Sequence, residues 1–549
     1  MRRSNAPTLK RHARSTMHST DRNGRRRLLK GLAAGLAGAY VGPGGARAGV
    51  GGRALPDASL PSTGVFRRPL PVPPQAAGHL DAAGVRHYRL ATGYGTSELV
   101  EGVHTPTWGC NGAVLGPTLR IPRNQPVELH VHNGLDQPTT MHWHGARVPG
   151  RMDGGPHGVI APGETWTAAY TLTQPAAALW YHPHPHAYTG PQIYGGLAGM
   201  LWIDDDSDQA LALPRTYGID DLPIVIQDRR LNDAGGLAYM TAVRDVMGMK
   251  GDRFLVNGVE QPYAEVAAGW LRLRVLNASN ARNYNLAFDD GRRFYVIAGD
   301  AGLLAEPAPV DQLLLAPAER AQILVDLRGD RGRRPVLRSA SGAVVPGLYR
   351  MPMAVDAHDR RGFDLLELRV GPSLDLDTRL PDRLVDQPVL APDGPRRRFL
   401  LDGMIASDAL ARMQGGRGYG SRPASGPGGM SAGTGGRDLF AINGEFMDMN
   451  VVNARIALGS TEVWQVTNVS VMAHPFHMHG TSFLIRARNG KPPAPHERSW
   501  KDVVLVRGGE TVELAARFDH PADADHAYMY HCHILEHEDN GMMGQFVVA

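Results

Sequence analysis

A strand-like segment of alternating apolar residues occurs three times along this chain, and each copy ends in asparagine. The copies are residues 127–133, 271–277 and 462–468. Alternation of apolar residues with other residues is typical of a half-buried β-strand. In each copy the final Asn follows an Asn-Gly pair, which favours a tight hairpin turn, by 20 to 25 residues. A pattern that recurs in this way predicts a β-rich chain built from three similar domains.

The spacing of the Asn-Gly pairs places an insertion in the third domain. The pairs begin at Asn111, Asn257 and Asn443, so the two intervals are 146 and 186 residues. The longer interval contains a Gly-, Ser- and Arg-rich tract from Gly415 to Gly436, whose composition buries too little apolar surface to order itself. We therefore predict an all-β fold with domains at residues 65–206, 219–372 and 396–549, the last with a flexible insertion at about 403–437.

Most of the positive charge lies in the first 48 residues. This segment has 11 Lys and Arg and one acidic residue, so the net charge of +4 for the whole chain leaves −6 for the remainder. Arg25, Arg26 and Arg27, a short Gly/Ala/Leu run to Val41 and the Ala46-Arg47-Ala48 sequence are typical of a twin-arginine signal peptide. We expect cleavage after Ala48, export by the twin-arginine machinery, and a periplasmic or otherwise exported protein without a membrane anchor. The alternative is a disordered basic tail, and Met17 is an alternative start.

The mildly acidic body argues against a nucleic-acid partner, because such binding requires a basic face or stripe outside the leader. Ten histidines instead occur in four short motifs, each of which contains a His-x-His sequence. On a strand, residues two apart face the same side, so each His-x-His directs two imidazoles to one place. These histidines are His142, His144, His182, His184, His474, His477, His479, His531, His533 and His537. A chance scatter would not give these spacings, so we predict a metal centre.

Other histidines and one cysteine have simpler interpretations. His130 and His132 lie on the first repeated strand, whose apolar residues take the core face, so we predict that this pair faces solvent. His157 and His186 fit no ligand position. The chain has two cysteines, and Cys110 is expected to be a small buried residue rather than a disulfide partner of Cys532.

The last two motifs indicate copper. Cys532 lies between two histidines, and Met542 follows ten residues later. Two imidazoles, a thiolate and a weak axial thioether are the ligands of copper in electron-transfer sites. His474, Cys532, His537 and Met542 supply that set.

The four motifs resemble those of the multicopper oxidases, and the three repeats resemble the three cupredoxin-like Greek-key β-sandwich domains of that family. The resemblance implies four copper ions that pass single electrons from a reducing substrate to O2, which is reduced to water by four electrons. It assigns a type 1 copper to His474, Cys532, His537 and Met542, and a type 2 copper to His142 and His477. It assigns the two type 3 coppers to His144, His182 and His533, and to His184, His479 and His531.

Two carboxylates match positions that supply protons in the resembled family. These are Asp153 and Glu538, and the alternative is a surface carboxylate or a partner of a ligand histidine. Because the ligands come from both ends of the chain, we expect the cluster to lie between the first and third domains, with the middle domain as a spacer.

The electron donor is predicted from the C-terminal third. Residues 490–496, 500–502 and 526–539 resemble bacterial cuprous oxidases of copper tolerance, which implies Cu(I) as the donor. Part of that group's substrate-copper site is matched by Asp448 and Met449, with Met404 and Asp408 as looser candidates. An equally good interpretation is that these four are ordinary strand residues. The insertion is poor in methionine, with Met404, Met413 and Met430 only. The alternatives are a laccase-like oxidase of small phenols and a non-catalytic copper-binding or assembly protein, and we expect a monomer.

Overall fold

The computed structural model describes residues 65–374, 377–403 and 439–549. The predicted signal peptide and nearly all of the predicted insertion, including Met404 and Asp408, lie outside the described residues. Within the described ranges, no helix has both the length and the apolar character needed to cross a membrane.

Residues 75–204 form two five-stranded sheets that share one hydrophobic core. The strands are β1 (Gln75–Ala76), β2 (His79–Leu80), β3 (Arg86–Val100), β4 (Val103–Cys110), β5 (Thr118–Pro122), β6 (Pro126–Asn133), β7 (His142–His144), β8 (Thr165–Thr171), β9 (Ala177–His182) and β10 (Gly199–Asp204). One sheet has the order β1-β5-β10-β9-β7, and the other has the order β2-β3-β6-β8 with β4 paired to β3. Three short helices follow strands here: α1 (Gly150–Asp153), α2 (Thr189–Gly195) and α3 (Asp206–Gln209).

Residues 221–370 form a second pair of sheets around their own core. The strands are β11 (Asp221–Arg229), β12 (Arg253–Val256), β13 (Val259–Glu260), β14 (Tyr263–Val266), β15 (Trp270–Asn277), β16 (Tyr284–Phe288), β17 (Phe294–Ala298), β18 (Leu303–Val310), β19 (Leu313–Leu315), β20 (Arg320–Asp326), β21 (Val336–Ser339) and β22 (Phe363–Val370), with helix α4 (Ala357–Arg361). The sheet orders are β13-β12-β11-β15-β20-β17-β18 and β14-β22-β21-β16-β19.

Residues 396–548 form the third pair. The strands are β23 (Arg396–Gly403), β24 (Phe440–Ile442), β25 (Ala454–Ile456), β26 (Thr461–Asn468), β27 (His474–Met478), β28 (Phe483–Arg488), β29 (Val503–Val506), β30 (Thr511–Arg517), β31 (Tyr528–Cys532) and β32 (Met543–Val548), with helix α5 (Leu535–Asp539). The sheet orders are β24-β23-β26-β30-β28 and β25-β32-β31-β27-β29. Single 3-10 turns lie at Val243–Met247, Ser341–Ala343, Val345–Leu348, Pro352–Ala354 and Pro495–Glu497.

The repeated segments occupy equivalent positions in the three parts of the chain. They are β6, β15 and β26, and each pairs in parallel with the first long strand of its sheet and antiparallel with a later strand. The Asn of each Asn-Gly pair has a positive φ, between 51° and 57°, which is the backbone conformation that Asn and Gly tolerate best. The all-β fold predicted from the repeats is therefore confirmed.

The asparagine that ends each repeated strand is buried and holds the loop that follows it. Asn133 donates to two carbonyl oxygens and accepts from the backbone N–H two residues later. Asn277 and Asn468 form the same three hydrogen bonds. In the first and third parts this loop leads directly into β7 and β27, the strands that carry His142 and His474.

Candidate metal centre

The structure brings the twelve predicted ligands together in the protein interior. The ten histidines, Cys532 and Met542 each expose at most 1% of their surface. They come from paired strands, because β7 pairs with β9 at His142 and His182, and β27 pairs with β31 at His477 and His531. The strand ladders therefore set the relative positions of the motifs.

Two imidazoles face the sulfur of Cys532. Nδ1 of His474 lies 3.4 Å from Sγ, and Nδ1 of His537 lies 3.6 Å from it. The Ser470 hydroxyl donates its proton to the carbonyl of Met472, so it accepts from Nε2 of His474 at 2.8 Å. This bond leaves the lone pair of His474 on Nδ1, directed at the sulfur.

Backbone and ring contacts complete this first group. The backbone N–H of Cys532 donates to the carbonyl of Met542, and the backbone N–H of Met542 donates to the carbonyl of His537. The ring of Phe440 stacks on His537 at 3.6 Å between centroids. A side chain at Gly403 would place its Cβ 2.8 Å from Phe440 and 3.3 Å from His474, so only glycine fits there. Ser470, Phe440 and Gly403 were not identified from sequence, because none belongs to a ligand motif.

A second group consists of His184, His479 and His531. Nε2 of His531 lies 3.1 Å from Nε2 of His479 and 3.4 Å from Nε2 of His184. Nδ1 of His479 donates to Asp153 Oδ2 at 2.8 Å. Glu538 Oε2 lies 3.1 Å from Nδ1 of His531, and Glu538 Oε1 lies 3.4 Å from Nδ1 of His184. The three Nε2 atoms therefore converge, as the predicted grouping requires.

A third group contains His144, His182 and His533. Nδ1 of His144 lies 3.2 Å from Nε2 of His182, while Nδ1 of His182 donates to the carbonyl of Pro183. The ring of His533 lies 5.1 Å from that of His144 and 5.5 Å from that of His182, between centroids. Both ring nitrogens of His533 are buried without a hydrogen-bond partner among the described residues.

His142 and His477 share a hydrogen-bond arrangement of their own. Nδ1 of His142 donates to the carbonyl of Asp153, and Nδ1 of His477 donates to the carbonyl of Asp502. Their Nε2 atoms are buried and, within the described part of the chain, lack a partner. Both Nε2 atoms thus carry a free lone pair.

The donor chemistry of these groups fits copper. His144 and His182, and likewise His479 and His531, turn lone pairs towards each other because their other ring nitrogens already donate, that of His531 to the carbonyl of Cys532. Burial is the main cause that lowers the pKa of His474 and His533 to about 3 and that of His144 well below 6.5, so these rings are neutral at neutral pH. Facing lone pairs repel unless a cation lies between them. Neutral imidazoles with a thiolate suit copper.

Asp153 and Glu538 are buried against candidate ligands, so neither is a surface carboxylate. Burial opposes the charge of Glu538, but His184 and His531 outweigh it and lower the pKa of that carboxyl. The structure therefore places both groups where they orient histidines. Their predicted part in proton delivery stays a prediction.

Asp502 connects the cluster to the middle part of the chain. Its Oδ1 accepts from Nε2 of His144 at 3.1 Å and from Arg320 at 2.6 Å, and its Oδ2 accepts from Arg320 at 2.5 Å. Arg320 lies on β20, and Asp300 accepts from the backbone N–H of Asp502. The middle domain, expected as a spacer, also supports the cluster, because its Arg320 holds the acceptor of a candidate ligand.

The remaining predicted residues lie as follows. Asp448 is exposed and Met449 is half-buried. Cys110 is buried and free, and burial raises its pKa to about 12. Nε2 of His157 bonds to Gln545, while His132 is exposed beside Thr165. His130 differs from the expectation for a solvent-facing pair, because it packs against His87.

An all-β protein that buries a sulfur–imidazole site beside a histidine cluster is a copper protein in class, and comparison with known proteins identifies the family. Models described as multicopper oxidase match residues 91–208 and 422–549. The multicopper oxidase mco of Staphylococcus aureus is 33% identical, covering 85% of this chain and 90% of that protein. The cell division protein FtsP of Salmonella typhimurium is 36% identical, with coverages of 88% and 93%.

Comparison with solved structures identifies the same family. The laccase-like multicopper oxidase CueO from Ochrobactrum sp. is 37% identical with a TM-score of 0.75, covering 88% of this chain and 100% of that one. The chain belongs to the multicopper oxidase family. It is a copper-containing oxidase with cupredoxin-like sandwiches that transfers electrons from a reducing substrate to O2.

Proposed function

We propose that this oxidase removes single electrons from Cu(I) and uses four of them to reduce O2 to water, in the service of copper tolerance. The proposal includes one type 1 copper at His474, Cys532, His537 and Met542, one type 2 copper at His142 and His477, and two type 3 coppers. The latter would bind His144, His182 and His533, and His184, His479 and His531. Ligand atoms converge within His474, Cys532 and His537 and within His184, His479 and His531, which supports these two assignments, and His142 and His477 also fall in one convergent group.

The proposal also covers the organisation of the chain. The strands of each pair of sheets fall inside one of the ranges 65–206, 219–372 and 396–549, which supports three domains with those bounds. We further propose export by the twin-arginine machinery to the periplasm, on the strength of residues 25–48, and a monomeric enzyme. Size-exclusion chromatography of mature protein and N-terminal sequencing of the exported form test these two points.

When bound, copper ions would accept single electrons from the donor and deliver them to O2. The protein's own contribution begins with Cys532, which is covalently adjacent to His531 and His533 and so joins the sulfur site to the histidine cluster by a short path. Asp153 accepts a hydrogen bond from Nδ1 of His479, and the Glu538 carboxylate lies 3.1 Å from Nδ1 of His531 and 3.4 Å from Nδ1 of His184, where it would hold a proton. Burial of all these groups excludes bulk water from the cluster.

Cu(I) as the donor rests on the position of Asp448 and Met449. The N–H of Met447 donates to the carbonyl of Gly541, and Gln545 donates to the carbonyl of Met449. The loop that carries Asp448 is therefore fastened to the residues on either side of Met542. The thioether of Met449 suits a soft cuprous ion, and the exposed carboxylate of Asp448 adds negative charge on the same loop.

O2 uptake with Cu(I) and with a model phenol tests the donor. We expect Asp448→Asn and Met449→Leu to lower kcat/KM for Cu(I) by roughly tenfold, or ~1.4 kcal/mol, and to leave the phenol reaction within about twofold. Asp525→Asn, which changes an exposed carboxylate elsewhere, is the matched control. An equal loss for both donors, or no loss, would refute the Cu(I) assignment.

A laccase-like oxidase of phenols is the second candidate. It is supported by the Ochrobactrum relative, whose description gives oxidase activity towards lignin model compounds, and by the low methionine content of the insertion. A phenol preference in the same assay decides for it. A non-catalytic role, raised by the similarity to cell division proteins, requires that fully copper-loaded protein consume no O2 with either donor.

A further inference from the structure

A second cluster of metal-binding side chains lies on the outer face of the first sheet pair, away from the buried centre. His87 is on β3, and Glu128 and His130 are on the adjacent strand β6. In the parallel ladder His87 pairs with Glu128, and Arg89 pairs with His130. Tyr88 and Leu129 turn into the core, so the alternation of the two strands directs His87, Glu128 and His130 to the same outer face.

Three ligand atoms of this cluster converge. Nδ1 of His87 lies 3.3 Å from Nε2 of His130 and 3.4 Å from Glu128 Oε2. Glu128 Oε2 in turn lies 3.6 Å from Nε2 of His130. Atoms bound to one ion at about 2.0–2.2 Å are separated by distances of this order. The rings stack within 7° of parallel.

Neighbouring side chains fix the two imidazoles. Asp81 Oδ2 accepts from Nε2 of His87 at 3.0 Å, which places the lone pair of His87 on Nδ1. Thr167 Oγ1 lies 3.0 Å from Nδ1 of His130, and donation from that nitrogen places the lone pair of His130 on Nε2. A carboxylate that orients a histidine from behind is a common support for a metal ligand.

We propose that His87, Glu128 and His130 bind a divalent transition-metal ion, with Asp81 as the positioning residue and Cu²⁺ held more tightly than Zn²⁺. Two imidazoles and one carboxylate suit both ions, and the general order of affinity favours Cu²⁺. The side chains expose between 22% and 37% of their surface, so water can complete the coordination. The site is separate from the twelve ligands of the oxidase centre.

The test uses copper-loaded enzyme without a polyhistidine tag, titrated with Zn²⁺ and, separately, with Cu²⁺ by isothermal titration calorimetry. We expect one ion per chain beyond the resident copper, with tighter binding of Cu²⁺. Asp81→Asn should weaken binding by about 10–100-fold, and His87→Gln or His130→Gln should weaken it at least as much. O2 uptake by each variant should equal that of the wild type, which also shows that the variant is folded.

His132→Gln is the matched control, because His132 lies two residues along the same strand but is exposed beside Thr165 and outside the cluster. It should leave both titrations unchanged. The proposal is overturned if no additional ion binds, in which case His87 and His130 only hydrogen-bond to each other. It is also overturned if His132→Gln weakens binding as much as His130→Gln does.

Discussion

Replacing Asp502 with Asn tests the connection between the middle domain and the histidine cluster. In the wild type, Oδ1 serves both His144 and Arg320, and Oδ2 serves Arg320 alone. An Asn oxygen in the place of Oδ1 keeps the bond to His144, but it points the amide N–H groups at Arg320. The flipped amide instead points them at His144. One buried donor of Arg320 therefore loses its acceptor in the first orientation, and in the flipped orientation both His144 and Arg320 lose one.

The size of the effect follows from the burial of the pair. Both side chains are fully buried, and removing one partner of such a pair costs about 3–5 kcal/mol because the other charge is stranded. The remaining hydrogen-bond acceptors of Arg320 are the carbonyls of Ala178, Ala318 and Asp300, and the remaining carboxylate, that of Asp300, lies 4.0 Å away, so the cost should fall at the lower end of this range. Loss of a hydrogen bond behind a metal ligand typically weakens metal binding by about 10–100-fold.

The measurement compares thermal unfolding of apoprotein with copper content at a series of buffered free copper concentrations. Asp502→Asn should lower both the unfolding temperature and the copper content, while the visible absorption of thiolate-bound copper at Cys532 persists. Asp221→Asn is the matched control, because Asp221 forms a buried bidentate pair with Arg274 and has no histidine among its hydrogen-bond or ion-pair partners in the described part of the chain. It should destabilise the protein without weakening copper binding.

A double variant tests whether the stranded charge of Arg320 causes both losses. Asp502→Asn with Arg320→Met removes both charges and leaves the amide oxygen free to accept from His144, so stability and copper binding should both recover relative to Asp502→Asn. If Asp502→Asn binds copper as tightly as Asp221→Asn does, Asp502 does not support His144 and the inferred connection is refuted.

Three further predictions concern single side chains. Cys532→Ser should abolish the intense visible absorption and O2 uptake, whereas retained turnover would contradict the assignment of the sulfur site. Ser470→Ala should destabilise apoprotein by about 1–3 kcal/mol, because Nε2–H of His474 becomes a buried donor without an acceptor; unchanged denaturant unfolding would contradict this. Burial opposes the charge of Asp208, but Arg272 outweighs it and lowers the pKa from 3.8 to about 2. Above pH 4 the free energy of unfolding of the wild type should therefore exceed that of Asp208→Asn by about 2 kcal/mol. This difference should be lost as the pH falls towards 2. An equal difference at pH 5 and pH 3 would contradict the prediction.

The candidate ligands could be predicted because their signal is local. A His-x-His motif on a strand faces one side whatever the rest of the fold does, and the neighbours of Cys532 are fixed by the chain itself. The repeated strands could be predicted for the same reason, since alternation and Asn-Gly turns are short-range features of the sequence. The grouping of His184, His479 and His531 came from family resemblance, and the structure brings their Nε2 atoms together.

The supporting residues could not be predicted, because their contacts join distant parts of the sequence. Arg320 and Asp502 are 182 residues apart, and no local pattern marks an arginine on one strand as the partner of an aspartate in another domain. His87 and His130 are 43 residues apart. The sequence pattern does not distinguish His130 from His132. The register of β3 against β6 does, because it places His87 beside His130.

The middle domain shows that the repeated strand with its terminal asparagine belongs to the fold, whereas the histidines belong to the metal centre. Asn277 forms the same buried hydrogen bonds as Asn133 and Asn468, yet the strand that follows it, β16, carries no histidine. The terminal asparagine therefore stabilises the loop between two strands whether or not the next strand carries metal ligands. That loop leads into a strand with candidate ligands only in the first and third parts, at β7 and β27, and these strands pair with β9 and β31, which carry further candidate ligands. The oxidase centre is thus a set of side chains added to two of the three equivalent parts, while the third contributes Arg320 instead.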